Sequence, residues 1–345
     1  MQPATAPLPA TIPDVETLED LLSRPSPGLI ADLAKAPGDV AVVGVGGKVG
    51  PTLARMLRRA DPKRKVYGIA RFSEPGLRER LESWGVTCVP CELTDRAQVE
   101  RLPDAPNLVF MAGRKFGTGA DAALTWAMNT VVPAYVGERY AGSRFVGFST
   151  LCVYPFADVA GPGSREGDAT TPLGEYANSC VGRERVLQHV SLRHQSPGRV
   201  CRLNYAIDLR YGVLHDIGRR VLSGEPIDLR TGVANVIWQR DSTDWILRCL
   251  AHGEVGAPPI NIGAPQPARV RAVAAAFGRI FGRDPVFTGT EDTQAWHNDC
   301  SLAASLFGAP TVDLDTLIRW NADWLRSGGP AHGKPTHYDQ RAGSF

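Results

Sequence analysis

Gly44, Gly47 and Gly50 stand between a short apolar run, Asp39-Val40-Ala41-Val42-Val43, and a helical pattern that begins at Pro51. In that setting glycines let the backbone approach a pyrophosphate closely, and the free N–H groups at the positive end of the following helix favour its charge. Strand, tight turn, helix and second strand follow in the order that a dinucleotide fingerprint requires. The segment Gly44, Gly46, Gly47, Lys48, Val49 and Gly50 is therefore read as the grip on a dinucleotide. An acid at the end of the second strand would hold the ribose 2′-hydroxyl of NAD. Here that strand ends at Ala70-Arg71, and Lys48 lies inside the loop. Two cations and no acid favour a 2′-phosphate, so NADP is expected over NAD.

The elements that must carry this loop follow from the apolar pattern. Two short helices between Asp14 and Lys35, broken at Pro25-Ser26-Pro27-Gly28, are expected outside the main domain. Strands are expected at Asp39–Val43, Lys65–Ala70, Val86–Val89, Asn107–Ala112 and Arg144–Ser149, with helices at Pro51–Ala60, Gly76–Trp84 and Asp121–Tyr135 between them. That alternation indicates an α/β fold, a Rossmann-type doubly wound parallel sheet. Beyond Arg199 it loosens. Strands at Arg199–Asn204 and Pro259–Ile262 and helices at Val270–Phe281 and Leu314–Leu325 suit a smaller C-terminal substrate lobe. The resulting division is an N-terminal tail and helices over 1–37, a dinucleotide domain over 38–200, a substrate lobe over 201–327 and a tail over 328–345. Composition alone predicts that the last of these is disordered.

The chain has 345 residues, 43% hydrophobic and 21% charged, within the ordinary globular range. A net charge of +2 gives no electrostatic case for nucleic acid or an anionic membrane. No apolar run is long enough to span a bilayer, and Met1 to Pro13 lacks the pattern of a signal peptide, so a cytoplasmic protein is expected. Seven cysteines argue against a disulfide framework. Cys88 and Cys91 form a C-x-x-C in a strand-like run without a second ligand pair, and are read as plain thiols; no metal is expected.

Further motifs accompany the glycine triplet. Glu92-Leu93-Thr94-Asp95 follows the third strand, and Met111-Ala112-Gly113 the fourth. Asn129 lies in Met128-Asn129-Thr130-Val131. Ser149-Thr150-Leu151-Cys152-Val153-Tyr154 closes the fifth strand, Thr171-Pro172-Leu173-Gly174-Glu175-Tyr176 comes later, and Asn204 and Asn261-Ile262-Gly263 end the series. In this order they resemble the extended short-chain dehydrogenase/reductases, the epimerase/dehydratase group acting on nucleotide sugars, from about Asp39 to Ser327. The resemblance implies that Glu92, Leu93, Met111, Ala112 and Gly113 line the cofactor. Thr150 would hold the reacting oxygen, Tyr176 would exchange its proton, and Asn129 would support the site. Leu151, Cys152 and Asn204 would border the substrate, a sugar, sugar nucleotide or related polyol. The family also implies a homodimer joined through the helices that carry Asn129 and Tyr176.

Two departures stand out. The family carries Lys four residues after the tyrosine, where it binds the nicotinamide ribose and lowers the tyrosine pKa; here Cys180 stands there. A phenol ordinarily ionises near pH 10, so a cation is wanted. Three readings are open: Lys115 or Arg114 takes over; Tyr176 acts only as a proton donor in reduction; or the protein is a catalytically silent dinucleotide-binding sensor or partner. In addition, Leu151 and Cys152 occupy the positions where family dehydratases place Asp-Glu. Dehydration is thus not expected, leaving epimerisation or carbonyl/alcohol redox.

Some residues have a bland alternative. Arg210 could grip an anion or pair with Asp208. Trp238 fits a core position better than a cleft. Lys334, in Gly333-Lys334-Pro335-Thr336-His337-Tyr338, could fold back over the site or lie on a surface.

Overall fold

The computed structural model describes residues 8–115, 117, 121–334 and 336–343. Val40–Val43 (β1), buried throughout, lies inside a seven-stranded parallel sheet. The other strands are Val66–Ala70 (β2), Thr87–Pro90 (β3), Asn107–Phe110 (β4), Arg144–Thr150 (β5), Gly198–Leu203 (β6) and Pro259–Ile262 (β7), in the order β7-β6-β5-β4-β1-β2-β3. β1 pairs with β2 on one side (Val40 beside Val66) and β4 on the other (Val40 beside Asn107). The chain winds outward from β1 in one direction and then resumes on the opposite side. This reversal opens a crevice at the carboxyl ends of β1 and β4, where ligands bind in such sheets. The fold is the doubly wound α/β architecture expected.

Helices cover both faces. The N-terminal pair, Val15–Leu22 (α1) and Pro27–Lys35 (α2), are capped by Asp14 and Ser26, with Pro27 in the first turn. They are more deeply built in than their place ahead of β1 suggested: Leu18, Leu22 and Leu29 are fully buried. The Ser26 N–H and hydroxyl both donate to Asp244, at 2.8 Å each, in the helix Gln239–Arg248. Gly50–Ala60 (α3) follows the glycine loop. After β4, a helix at Ala122–Trp126 passes through a π-turn at Ala127–Val131 into Val132–Arg139. Pro133 lacks the N–H that would bond to Asn129, and a π-turn accommodates such a loss. The helix Gly174–His194 (α4) carries Tyr176, Cys180, Arg183 and Glu184.

A second core lies beyond the sheet, among Trp238, Phe277, Trp320, Trp324 and Tyr338. Trp238 is thus a core residue, its ring centroid 5.4 Å from that of Trp320. The presence of Tyr338 there corrects the expectation of a disordered tail. Thr336 donates to Asp216 from its amide (2.9 Å) and hydroxyl (2.5 Å), and Asp339 pairs with Arg220 at 3.1 Å. Arg341 pairs with Asp292 at 3.0 Å and covers the Phe156 ring. Gly343 packs on Gly174 at the start of α4, where a β-carbon on Gly174 would collide with the Gly343 carbonyl. Composition missed this because each anchor is a pairing between segments distant in sequence. Tyr338→Ala is therefore expected to cost ~3 kcal/mol, the scale of emptying a buried aromatic site. Thermal unfolding checks it; an unchanged midpoint would mean the segment does not contribute to folding.

Candidate functional site

The glycine loop shapes the crevice. Gly44 adopts φ +92°, and a β-carbon there would stand 2.5 Å from the Ala112 backbone nitrogen. A β-carbon on Gly50 would collide with the Val45 carbonyl, so this glycine sets the close packing of α3 on its strand. Gly46 and Gly47 face a cleft of about 790 Å³, lined also by Ala70, Arg71, Glu92, Leu93, Met111, Ala112 and Gly113. Apart from Ala70, these were expected at the cofactor. Val49 forms the cap position of α3 and does not face the cleft.

Lys48 corrects part of the expectation. Its Nζ donates to the Ala206 carbonyl at 2.7 Å and lies 4.5 Å from the Tyr211 ring centroid. It therefore points toward Ala206 and Tyr211, away from Arg71, and does not accompany Arg71 in the cleft. Arg71 remains at the cleft, exposed, 3.6 Å from Glu92. Burial pulls the Lys48 pKa down to about 8, against the pull of Asp208. The folded protein thus releases this proton earlier than the unfolded chain, whose lysine titrates near the ordinary 10.5. Stability relative to Lys48→Met is expected to rise with pH from about 8 to 10.5 and level off above, because the unfolded state binds more protons in that window. Denaturant titrations of both proteins across that range test the sign, and a difference independent of pH would contradict it.

At the carboxyl end of β5, Thr150 is buried, and its hydroxyl accepts from the Cys152 N–H at 3.3 Å. The half-buried Tyr176 lies near Thr150 and Cys180, and both act on its titration. The fold thus brings together residues far apart in sequence. Burial first, then Cys180 and Cys152, push the Tyr176 pKa well up; Arg183 and Thr150 pull it back. Burial likewise pushes the Cys180 thiol up to about 11, so Cys180 is a neutral thiol at physiological pH. The sequence motif Cys88/Cys91 is a pair of buried free thiols, with Cys88 also pushed up to about 11 by burial. Among the described residues, no group of three or more His, Cys, Asp or Glu could hold a metal ion, and no helix is long and apolar enough to cross a membrane.

Four cations surround this site. Lys115 donates to the Thr336 carbonyl at 3.4 Å; burial lowers its pKa, and Cys152, Cys180 and Asp216 favour its charged form. Arg114 pairs with Asp121 at 3.7 Å. Lys334 lines the cofactor cleft. Arg183, which the motifs did not single out, donates to the Phe148 carbonyl at 3.0 Å and to Asn129 Oδ1. Its signal was its spacing: seven residues after Tyr176 and three after Cys180, it shares their helix face. Asn129 is fully buried; its oxygen accepts from the Arg114 N–H (2.9 Å) and its nitrogen donates to Ser179 (2.9 Å), tying the loop after β4 to α4.

Among the residues expected to border a substrate, Leu151 and Cys152 are buried beside Thr150, with no carboxylate in either place. Asn204 donates to the Ile262 carbonyl (3.1 Å) and to Cys300 Sγ (3.5 Å), while its buried amide oxygen has no partner. Arg210 departs from the anion-gripping expectation: its guanidinium is spent on Asp208 (2.8 Å) and on Glu19 of α1 (3.0 Å), all buried. A further network under the site was not anticipated. Arg202 forms a forked pair with Glu184 (3.0 and 2.7 Å), Ser149 donates to Glu184 (2.6 Å), and Arg202 donates to the Tyr154 hydroxyl (2.5 Å), which donates to Asn261 (2.9 Å).

No family model matches the chain, and no curated protein matches it in sequence. Solved structures match it in fold. It is similar to the UDP-glucose 4-epimerase of Thermus thermophilus in complex with NAD, with TM-score 0.70 and 20% identity over 84% of this chain and 99% of that one. It is similar to DesIV, the dTDP-glucose 4,6-dehydratase of Streptomyces venezuelae with NAD bound, with TM-score 0.70 and 20% identity over 84% and 97%. It is also similar to MoeE5 in complex with UDP-glucose and NAD, with TM-score 0.69 and 19% identity over 84% and 99%. At such identities the likeness is one of fold.

Proposed function

We propose that this chain is an NAD(P)-dependent oxidoreductase or epimerase acting on a sugar, sugar nucleotide or related polyol. The observation that carries this is the convergence of Thr150 and Tyr176 at the carboxyl end of β5, beside a glycine-floored cleft of dinucleotide size. The three similar structures hold NAD; one of them also holds UDP-glucose and another is a UDP-glucose epimerase, which supports the substrate class by analogy of fold.

Gly44, Gly46, Gly47 and Gly50 would hold the pyrophosphate, and Leu93, Met111 and Ala112 the rest of the dinucleotide. When bound, the nicotinamide supplies or accepts hydride at a sugar carbon. Thr150 orients the substrate oxygen through its hydroxyl. Tyr176, held protonated by burial, donates its proton to that oxygen as the carbon is reduced. Without a carboxylate at 151 or 152, water elimination has no base, so carbonyl reduction or epimerisation is preferred over dehydration. NADP over NAD now rests on Arg71, while Glu92 beside it is able to accept from a ribose hydroxyl, so the cleft suits either cofactor. The same reading includes a homodimer through the helices bearing Asn129 and Tyr176, where Leu124, Trp126 and Val131 stand exposed. Seven free cysteines accord with a reducing, cytoplasmic setting.

The test is an ultraviolet and thermal-shift survey with NAD(H) and NADP(H), followed by turnover against sugars and sugar nucleotides. Cofactor binding with redox change is expected. Tight binding with no change across the panel would favour a silent dinucleotide-binding protein, and no binding would overturn both.

A further inference from the structure

Arg183 is 5% exposed and lies on the helix that carries Tyr176 and Cys180. Its guanidinium spans the Phe148 carbonyl on β5 and Asn129 Oδ1, and a β-carbon on Gly113 in the cofactor cleft would collide with it. Its Nε is buried without a partner. Among the described residues, no carboxylate lies within ion-pair distance of it; neighbouring Glu184 is already committed to Arg202 and Ser149. A buried charge is costly unless it is compensated, and two neutral oxygens and the Phe110 ring, 6.0 Å away, compensate only in part. Helical side chains lean toward the N-terminus of their helix, which carries the Arg183 side chain back toward Cys180 and Tyr176 on the same face.

We infer that Arg183 supplies, from two turns further along α4, the positive charge that a lysine at position 180 would have placed beside Tyr176. It is a positioning residue: its field stabilises negative charge forming on the Tyr176 oxygen as the proton leaves, and the hydrogen bonds to Phe148 and Asn129 hold it at the inner edge of the cofactor cleft. Cys180 is then intelligible as a small neutral side chain that leaves room between the two. The direction of both neighbouring titrations agrees, since Arg183 favours the ionised forms of Tyr176 and Cys180. The inference rests on the reading of Tyr176 as the proton donor.

The test places a ring-fluorinated tyrosine, whose phenol ionises at lower pH, at position 176 in the full chain and follows its ionisation by fluorine NMR. Arg183→Met is expected to lower the phenol's ionisation constant about tenfold, as removal of a close cation does, and Arg183→Lys to restore most of it. If Met at 183 leaves a folded protein with an unmoved midpoint, the inference is overturned and Arg183 is only a structural tie. Should Arg183→Met not fold, Arg183→Lys decides. A midpoint near that of the wild type supports the electrostatic role, and a tenfold shift despite the retained charge refutes it. None of these outcomes depends on turnover, so failure here is distinct from failure of the functional reading, which a fully active Tyr176→Phe enzyme would signal.

Discussion

Tyr176→Phe is expected to lower turnover about a thousandfold while dinucleotide affinity stays within about twofold of the wild type. General acid catalysis by a positioned side chain is worth ~10²–10⁴ in rate, and on the proposed reading the phenol beside Thr150 is the proton donor. Phe keeps the ring and removes only the oxygen, so packing near Cys180 and Val153 is preserved. The cofactor cleft is lined by other residues and should not respond. Steady-state kinetics on the active sugar, together with fluorescence titration of the reduced cofactor, separate the two effects. A Phe enzyme with normal kcat would remove Tyr176 from the chemistry. Thr150→Val should lower the rate as well, since it leaves the substrate oxygen without its hydroxyl partner.

Glu184→Ala is expected to destabilise the fold by ~4 kcal/mol, the usual scale of breaking a buried ion pair by removing one partner. Glu184 is fully buried and Arg202 is 2% exposed. Removing the carboxylate strands the guanidinium and orphans the Ser149 hydroxyl. In urea the midpoint should fall with little change in slope, since the surface exposed on unfolding is nearly unchanged. Replacing both residues with apolar ones of similar size should recover much of the loss, because the desolvation of both charges disappears together. A single variant as stable as the wild type would show that water reaches this network.

Much of this was legible in the sequence because it is local. The glycine loop follows β1 within a few residues, and the demand on Gly50 comes from backbone just ahead of it. Thr150 ends an apolar strand, and Tyr176 opens a helix. What was not legible depends on contacts between distant segments. Lys48 finds its acceptor at Ala206, and Arg210 finds Glu19 in a helix preceding the whole sheet. Thr336 finds Asp216 although its neighbourhood is polar and glycine-rich. In each case the residue type announces a charge or a donor, and only the fold decides which partner it meets. Arg183 was hidden for another reason. Unlike Lys115 and Arg114, it belongs to no motif, and only the fold shows where a long side chain two turns beyond Tyr176 reaches.

The closing segment of the chain has a consequence for stability. Thr336 to Asp339 lies against Lys115, Asp216 and Tyr205. Because the segment is tethered to the helix ending at Arg326, it meets these partners at a high effective concentration. Lengthening the link at Gly328-Gly329 lowers that concentration and should lower the thermal midpoint without altering any residue that makes the contacts.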